Sequence, residues 1–256
     1  MSEIPKIRSY WEGNTPQHWY SDKTPGTTGY FEDIQKYRYS RAYPYLPEFA
    51  EFEAHQGKSV LEVGCGQGTD LFQFAKNGAS VTGIDLTEGA IAKSKELFAA
   101  YGQEARLETS NAEILEQFPD NAFDVVYSFG VIHHTPNTAQ CFDTIHRVLK
   151  PGGKAYIMIY AKGLNYAIKF VVFHLLKGGF LRRSFQDTIN KETEYRRNSP
   201  LTKMYSKKEA RRMAHRFQDI EVTKLHNPMF SYLLPRFIDR PLGAIIGDNL
   251  FIRGTK

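Results

Sequence analysis

Between Ser59 and Tyr160 short apolar runs alternate with longer segments whose apolar residues recur at helical spacing. Short runs rich in β-branched and aromatic residues suit strands, and a period of three to four suits helices packed on them. The first predicted strand is Ser59 to Val63, followed by a helix over Thr69 to Lys76 that Asn77-Gly78 can terminate. A second strand, Ser80 to Ile84, ends at Asp85. The next helix aligns Ala90, Ile91, Ser94, Leu97, Phe98 and Tyr101 and stops at Gly102. Arg106 to Thr109 is a short third strand. Phe123 to Phe129 is the fourth, with a nearly continuous apolar run that predicts burial on both faces. A helix from about Asn137 to Leu149 is broken by Pro151-Gly152-Gly153, and Lys154 to Tyr160 is the fifth strand. Strands alternating with helices predict a mostly parallel sheet covered on both sides.

The flanks differ from this middle. Residues 1–56 collect aromatic rings, among them Tyr10, Trp11, Trp19, Tyr20, Tyr30, Phe31, Tyr37, Tyr39, Tyr43 and Tyr45, with helices expected over Gly29 to Tyr39 and Leu46 to Ala54. They are expected to form either an aromatic lid over a ligand or an extension packed on the sheet. After Tyr160 an apolar, basic helix is predicted over residues 164–181, then a polar, charged stretch to residue 205. Ser206 with Glu209 three residues on has capping-box spacing and predicts a helix to Phe217. Asp219 to Leu225 and Asn249 to Arg253 are the last two strands. Pro228, Pro235 and Pro241 predict loop with short helical turns between them. The expected organisation is an N-terminal extension (1–56), a core (57–160), a helical insertion forming a cap (161–205) and a C-terminal helix and strands completing the sheet (206–256).

Bulk properties narrow the class. The chain has 256 residues, 41% hydrophobic and 24% charged, an ordinary globular profile. The net charge of +5 only permits anionic partners, and the basic stretch from Arg182 to Arg212 reads as a solvated face. Two cysteines, Cys65 and Cys141, offer no disulfide framework and fit a reducing cytoplasm. Met1 to Tyr10 carries no signal-like apolar region, and no apolar run has the length of a membrane span. The expectation is a cytoplasmic protein.

The candidate chemistry begins at the end of the first strand. Glu62-Val63-Gly64-Cys65-Gly66-Gln67-Gly68-Thr69-Asp70 is a tight glycine loop between strand and helix, the usual seat of a nucleotide-like cofactor. A dinucleotide fingerprint needs G-x-G-x-x-G, whereas this spacing is G-x-G-x-G. The Glu62 carboxylate would repel a pyrophosphate but suits a ligand with an ammonium group and a sulfonium. The pattern resembles motif I of the class I S-adenosylmethionine (SAM)-dependent methyltransferases. Gly83-Ile84-Asp85-Leu86-Thr87 is similar to the family's second SAM motif, which implies Asp85 on the ribose hydroxyls and Leu86 on the adenine. Asn111-Ala112-Glu113 stands where the family usually has Asp-Ala beside adenine, and an amide oxygen can accept the same hydrogen bond. The string from Phe123 to His134 and the Lys150-Pro151-Gly152-Gly153 turn also match, so the resemblance covers about residues 57–160. The segment from Thr24 to Tyr39 resembles the N-terminal extension of bacterial small-molecule methyltransferases.

The resemblance implies an α/β Rossmann-like three-layer sandwich with a mostly parallel seven-stranded sheet, an N-terminal lid and a helical insertion after strand 5. It implies a SAM site made by Glu62, Gly64, Cys65, Gly66, Gly68, Asp70, Asp85, Leu86, Asn111, Ala112 and Phe129. His134, and after it His133, lies where a general base would meet the acceptor. Tyr30, Tyr37, Tyr160 and Tyr205 are candidates to line the substrate space. No third ligand accompanies the histidine pair, so no metal is expected. The expected activity is methyl transfer to an oxygen or nitrogen of a small molecule, in secondary metabolism. Two alternatives stay open. SAM could be cyclised through its aminobutyrate chain with release of methylthioadenosine, or the chain could be a non-catalytic SAM-binding regulatory subunit. The N-P-P-Y and P-C motifs of base-directed enzymes are missing, so neither nucleic acid nor membrane is an expected partner. A monomer or homodimer is expected.

Overall fold

A computed structural model describes residues 3–12, 14, 20–163, 171, 184–192, 199–225 and 236–256. Five strands run parallel: β1 (Ser59–Val63), β2 (Ser80–Asp85), β3 (Arg106–Thr109), β4 (Phe123–Phe129) and β5 (Leu149–Tyr160). β7 (Asn249–Thr255) inserts antiparallel between β5 and β6 (Gln218–Leu225). The sheet order is β3-β2-β1-β4-β5-β7-β6. This is the seven-stranded, mostly parallel Rossmann-like sandwich expected, with one antiparallel hairpin at its end.

The strand period of two divides the core. Val126, Ile157, Ile159 and Ile252 face a cluster built with α6 (Thr138–Val148) and α8 (Lys207–Met213). Val125, Tyr127, Tyr156, Met158 and Phe251 face the opposite cluster. That cluster is completed by α2 (Thr28–Tyr37), α3 (Leu46–Ala50), α4 (Thr69–Lys76) and α5 (Glu88–Ala100). Both faces of β4 are therefore buried, as its apolar run predicts. The Ser206–Glu209 capping box is present and starts α8.

Several local expectations change. A helix not foreseen, α1 (Ile4–Glu12), precedes α2, and Trp19 lies outside the described residues. α2 continues into a wider π-turn over Arg38–Ala42. The helix expected over Leu46 to Ala54 divides at Glu51, whose φ of 52° is left-handed, and resumes as a 3-10 turn over Phe52–His55. The Glu51 carboxylate accepts the Tyr156 hydroxyl (2.5 Å) and lies 3.6 Å from Lys154. β5 starts at Leu149, because the chain pairs with Phe123 before the Pro-Gly-Gly turn. Pro241 lies inside α9 (Arg236–Ile246), not in a loop. A proline removes one helical hydrogen bond, and packing of α9 against β6 compensates. The helix expected over residues 164–181 lies outside the described residues except for Val171, as do Pro228 and Pro235. Within the expected cap, α7 (Phe185–Glu192) is described. Among the described residues no helix is long and apolar enough to cross a membrane.

The amino edge of the parallel strands is tied by one carboxylate. Asp124 accepts from the Ser59 backbone N–H (2.9 Å), the Ser59 hydroxyl (2.6 Å) and Lys150 Nζ (2.9 Å), joining the starts of β1, β4 and β5. Partial burial works against its charge, but the Ser59 bonds and then Lys150 outweigh it and hold the carboxyl well below 3.8. A depressed carboxyl stabilises the fold above its unfolded value, and that contribution is lost as pH falls through the folded one. Asp124→Asn should lower stability by about 1–2 kcal/mol at pH 7, with the gap closing below pH ~4, read from denaturant midpoints.

Candidate functional site

At the carboxyl edge of β1 the chain must turn under another strand's loop, and the glycines follow from that. Gly64 has a φ of 79°, and a Cβ there would sit 2.3 Å from Val131. The Gly64 and Cys65 N–H groups both donate to Ile84 O (2.7 and 2.9 Å), which presses the loop onto the end of β2. Gly66 (φ 57°) faces open space, with nothing within 4 Å of where a Cβ would stand. Backbone at that point can approach a ligand closely.

The strand order sets the expected residues in one row. Asn111 and Ala112 follow β3, Asp85 and Leu86 end β2, Glu62 and the glycines end β1, and Phe129 with His133 and His134 ends β4. The chain order of helices switches sides between β1 and β4, where open α/β sheets bind ligands. Asp85 is held in place: Oδ1 accepts Thr87 N–H (3.0 Å) and its hydroxyl (2.8 Å), and Oδ2 accepts Gly66 N–H (3.0 Å). Burial raises its pKa, and the Thr87 bonds oppose the shift. Asn111 Oδ1 accepts Glu113 N–H (3.0 Å), an Asx turn that uses one of its two lone pairs. The Cys65 side chain turns toward Ser94 (3.7 Å), and burial raises its thiol pKa, so only its backbone faces the loop's open side.

The electrostatics beneath the loop depend on Asp70. Arg38 Nε donates to Asp70 Oδ1 (2.6 Å), and Arg38 Nη2 donates to Oδ2 (2.5 Å). The Tyr39 and Tyr127 hydroxyls each donate at 2.7 Å. Arg38 is 5% exposed, and although burial opposes its charge, Asp70 holds its pKa well above the ordinary guanidinium value. Its guanidinium lies 4.9 Å from the Phe129 ring and 5.1 Å from Tyr43. Asp70, expected as a cofactor ligand, is thus saturated by four donors, and its carboxylate orients Arg38 and the start of α4.

Glu62 is in the opposite condition. It is 3% exposed, and its Oε2 has no hydrogen-bond partner among the described residues. Burial first and Asp70 second raise its pKa well above 4.5, with Arg38 opposing. Arg38, the cation beside these carboxylates, is already paired with Asp70, so it offers no free positive charge to an anion. An orphaned buried carboxylate oxygen beside an open glycine cradle fits a cationic group such as the ammonium of SAM. A pyrophosphate does not fit there.

The two histidines differ. His134 Nδ1 donates to Leu201 O (2.8 Å), and its ring meets Trp11 edge-on at 5.0 Å. That bond fixes the tautomer with the lone pair on Nε2. His133 is fully buried, and neither ring nitrogen has a partner among the described residues. Burial and then His134 push its pKa well below 6.5, which makes it a weaker base than a free imidazole. Its ring lies 4.0 Å from that of Tyr160. Among the described residues no three His, Cys, Asp or Glu side chains are grouped to hold a metal.

The four tyrosines do not share one space. Tyr30 approaches Gln67 of the glycine loop (3.5 Å), and Tyr160 backs His133. Tyr37 is 45% exposed and packs on Tyr20, while Tyr205 packs in the cluster on the other face of the sheet. The sequence assigned no role to Arg38 or Tyr127, and gave Tyr39 and Trp11 only a place in the expected aromatic lid. Their one signal is a basic residue between two tyrosines, Tyr37-Arg38-Tyr39, which says nothing of its partner 32 residues away.

Known proteins resemble this chain in sequence and in fold. Residues 61–157 match a family model described as a methyltransferase domain. Phosphoethanolamine N-methyltransferase 2 of Caenorhabditis elegans is 34% identical over 151 residues, 57% of this chain and 34% of that one. Ubiquinone biosynthesis O-methyltransferase of Pseudomonas paraeruginosa is 38% identical over 103 residues, 40% of this chain and 44% of that one. The chain thus spans less than half the length of these curated relatives. The solved structure of Haemonchus contortus phosphoethanolamine N-methyltransferase 2 with SAM superposes with a TM-score of 0.63 at 19% identity, covering 98% of this chain and 60% of that one, which shows the shared fold.

The two carboxylates should respond differently to neutralisation. A raised folded pKa means that Glu62 supports the fold below about pH 4.5, and the support is lost as pH rises through the folded value. Glu62→Gln should match the wild type near pH 4.5 and exceed it by about 1–2 kcal/mol at pH 8, measured by thermal unfolding. Asp70→Asn should cost about 3–5 kcal/mol by leaving the buried Arg38 uncompensated, and Tyr127→Phe only about 1 kcal/mol.

Proposed function

We infer that this chain, which belongs to the class I SAM-dependent methyltransferases, transfers a methyl group to an oxygen or nitrogen of a small-molecule acceptor. The observation that carries the reading is the buried, unpartnered Glu62 Oε2 under the open glycine cradle. A cationic counter-group would meet it, and the commitment of Arg38 to Asp70 leaves no guanidinium for a phosphate. The names of the relatives, one an N-methyltransferase and one an O-methyltransferase, support a small acceptor without choosing its atom. A place in secondary metabolism is part of this reading.

When bound, SAM supplies a methyl group already activated by its sulfonium. The work left to the chain is binding, orientation and exclusion of water. Glu62 would hold the ammonium end, with Gly64 and Gly66 admitting the backbone close to the ligand. Asp85, oriented by Thr87 and Gly66, would accept from the ribose hydroxyls, and the free lone pair of Asn111 Oδ1 from adenine. Phe129 and Tyr43 wall off water beside Arg38. His134 Nε2 would take the proton of the acceptor, while Nδ1 keeps its own proton, donated to Leu201 O. His133 and Tyr160 support that ring from behind.

Titration calorimetry with S-adenosylhomocysteine (SAH) tests the reading. Binding is expected, with Asp85→Ala weakening it by at least about tenfold, the loss of roughly 1.4 kcal/mol from one pair of hydrogen bonds. Unchanged affinity would refute the ribose role. Incubation with SAM alone should release no methylthioadenosine; its release would replace methyl transfer by ring closure. A panel of phenols and amines should yield SAH only with acceptors that His134→Gln fails to turn over.

A further inference from the structure

The carbonyl that accepts from His134 Nδ1 belongs to Leu201, and the backbone around Leu201 is gripped from behind by α7. That helix starts where Ser184 and Asp187 exchange bonds: Asp187 N–H donates to Ser184 Oγ (3.1 Å), and Ser184 N–H donates to Asp187 Oδ2 (3.2 Å). Gln186 and Asn190 lie four residues apart and so share one helix face. Gln186 Nε2 donates to Asn190 Oδ1 (2.9 Å) and to Thr202 O (2.7 Å). Asn190 Oδ1 also accepts Thr202 N–H (2.8 Å), and Asn190 Nδ2 donates to Pro200 O (3.2 Å).

These bonds alternate along the segment. The backbone groups of residues 200 and 202 bind α7. Those of residues 201 and 203 bind the histidine turn, through Leu201 O to His134 Nδ1 (2.8 Å) and Lys203 N–H to His133 O (3.1 Å). Alternation of that kind belongs to extended chain, whose successive residues face opposite sides. One amide side chain thus brackets Leu201 and aims its carbonyl at the imidazole. The Ser199 hydroxyl also donates to Leu201 O (3.1 Å), and Ser199 and Thr202 are both buried. Away from bulk water a fixed carbonyl dipole acts strongly on the ring, more so once the ring is protonated and its Nδ1–H bond is charge-assisted.

We propose that Asn190 is a positioning residue for His134, holding the ring through Leu201 O in the tautomer that places the lone pair on Nε2. The proposal rests on the reading of His134 as the base. The insertion after β5 then sets which nitrogen of that base can take a proton.

Asn190→Leu removes both amide bonds, and Asn190→Asp keeps the acceptor for Thr202 N–H. Imidazole nitrogen NMR reads the tautomer with SAH bound and no acceptor present. The wild type should show one protonated and one unprotonated ring nitrogen for His134, with a slowly exchanging Nδ1 proton. In Asn190→Leu the two resonances should converge and the slow proton should be lost, while Asn190→Asp should retain both. SAH affinity should be equal in all three. With a phenol or amine that the wild type turns over, kcat should fall about tenfold in Asn190→Leu at nearly constant KM, the order of one hydrogen bond, and recover in Asn190→Asp. Gln186→Leu, at an exposed position, replaces Asn190→Leu in the comparison should the latter fail to bind SAH. Unchanged His134 nitrogen resonances in the variant that binds SAH would overturn the proposal. Wild-type turnover by His134→Gln would instead overturn the base reading, even with a tautomer that still depends on Asn190.

Discussion

Four donors from Arg38, Tyr39 and Tyr127 converge on the Asp70 carboxylate in a volume nearly closed to water, and much of the molecule is arranged by that convergence. The bonds join the π-turn after α2, the first turn of α4 and the middle of β4. A buried ion pair holds together only when its remaining lone pairs and protons are satisfied, and the two tyrosines satisfy them here. The N-terminal aromatic segment is therefore bound to the glycine loop through the interior of the protein. Because Arg38 is committed to Asp70, Glu62 is left without a cation. The saturation of one carboxylate and the vacancy of the other are two sides of one arrangement.

The two ends of the parallel strands differ in the same way. At the amino edge, Ser59 and Lys150 satisfy Asp124, and the strand starts are locked. At the carboxyl edge, Glu62 keeps an orphan oxygen, Gly66 faces open space, and Asp85 is oriented by donors from its own loop. One edge is built for stability. The other leaves a buried carboxylate oxygen without a partner among the described residues.

His134 shows how distant segments complete a site. Leu201 fixes its tautomer from 67 residues away, and Trp11 packs on its ring from the first helix. Lys203 N–H also donates to His133 O, so the segment following α7 runs alongside the histidine turn. The N-terminal extension and the insertion after β5 are the parts of the chain least covered by the family resemblance. Both reach the histidine turn after β4.

The βα alternation, the glycine loop and the acidic ends of β1 and β2 were legible in the chain itself, because periodicity and close-turn chemistry are local properties. Strand identity followed from apolar runs, and the cofactor class from Glu62 beside a G-x-G-x-G spacing that a dinucleotide cannot use. Helix breaks were read less well: Glu51 adopts a left-handed φ to reach Tyr156, and Pro241 is tolerated inside α9, since packing outweighs propensity in both places. Roles inside the site divided along the same line. Sequence alone made Asp70 a cofactor ligand and His133 a possible base. Only the folded chain could show that Arg38 and two tyrosines donate to the first and that burial lowers the basicity of the second, because partners and desolvation belong to tertiary contacts and leave no trace in local spacing.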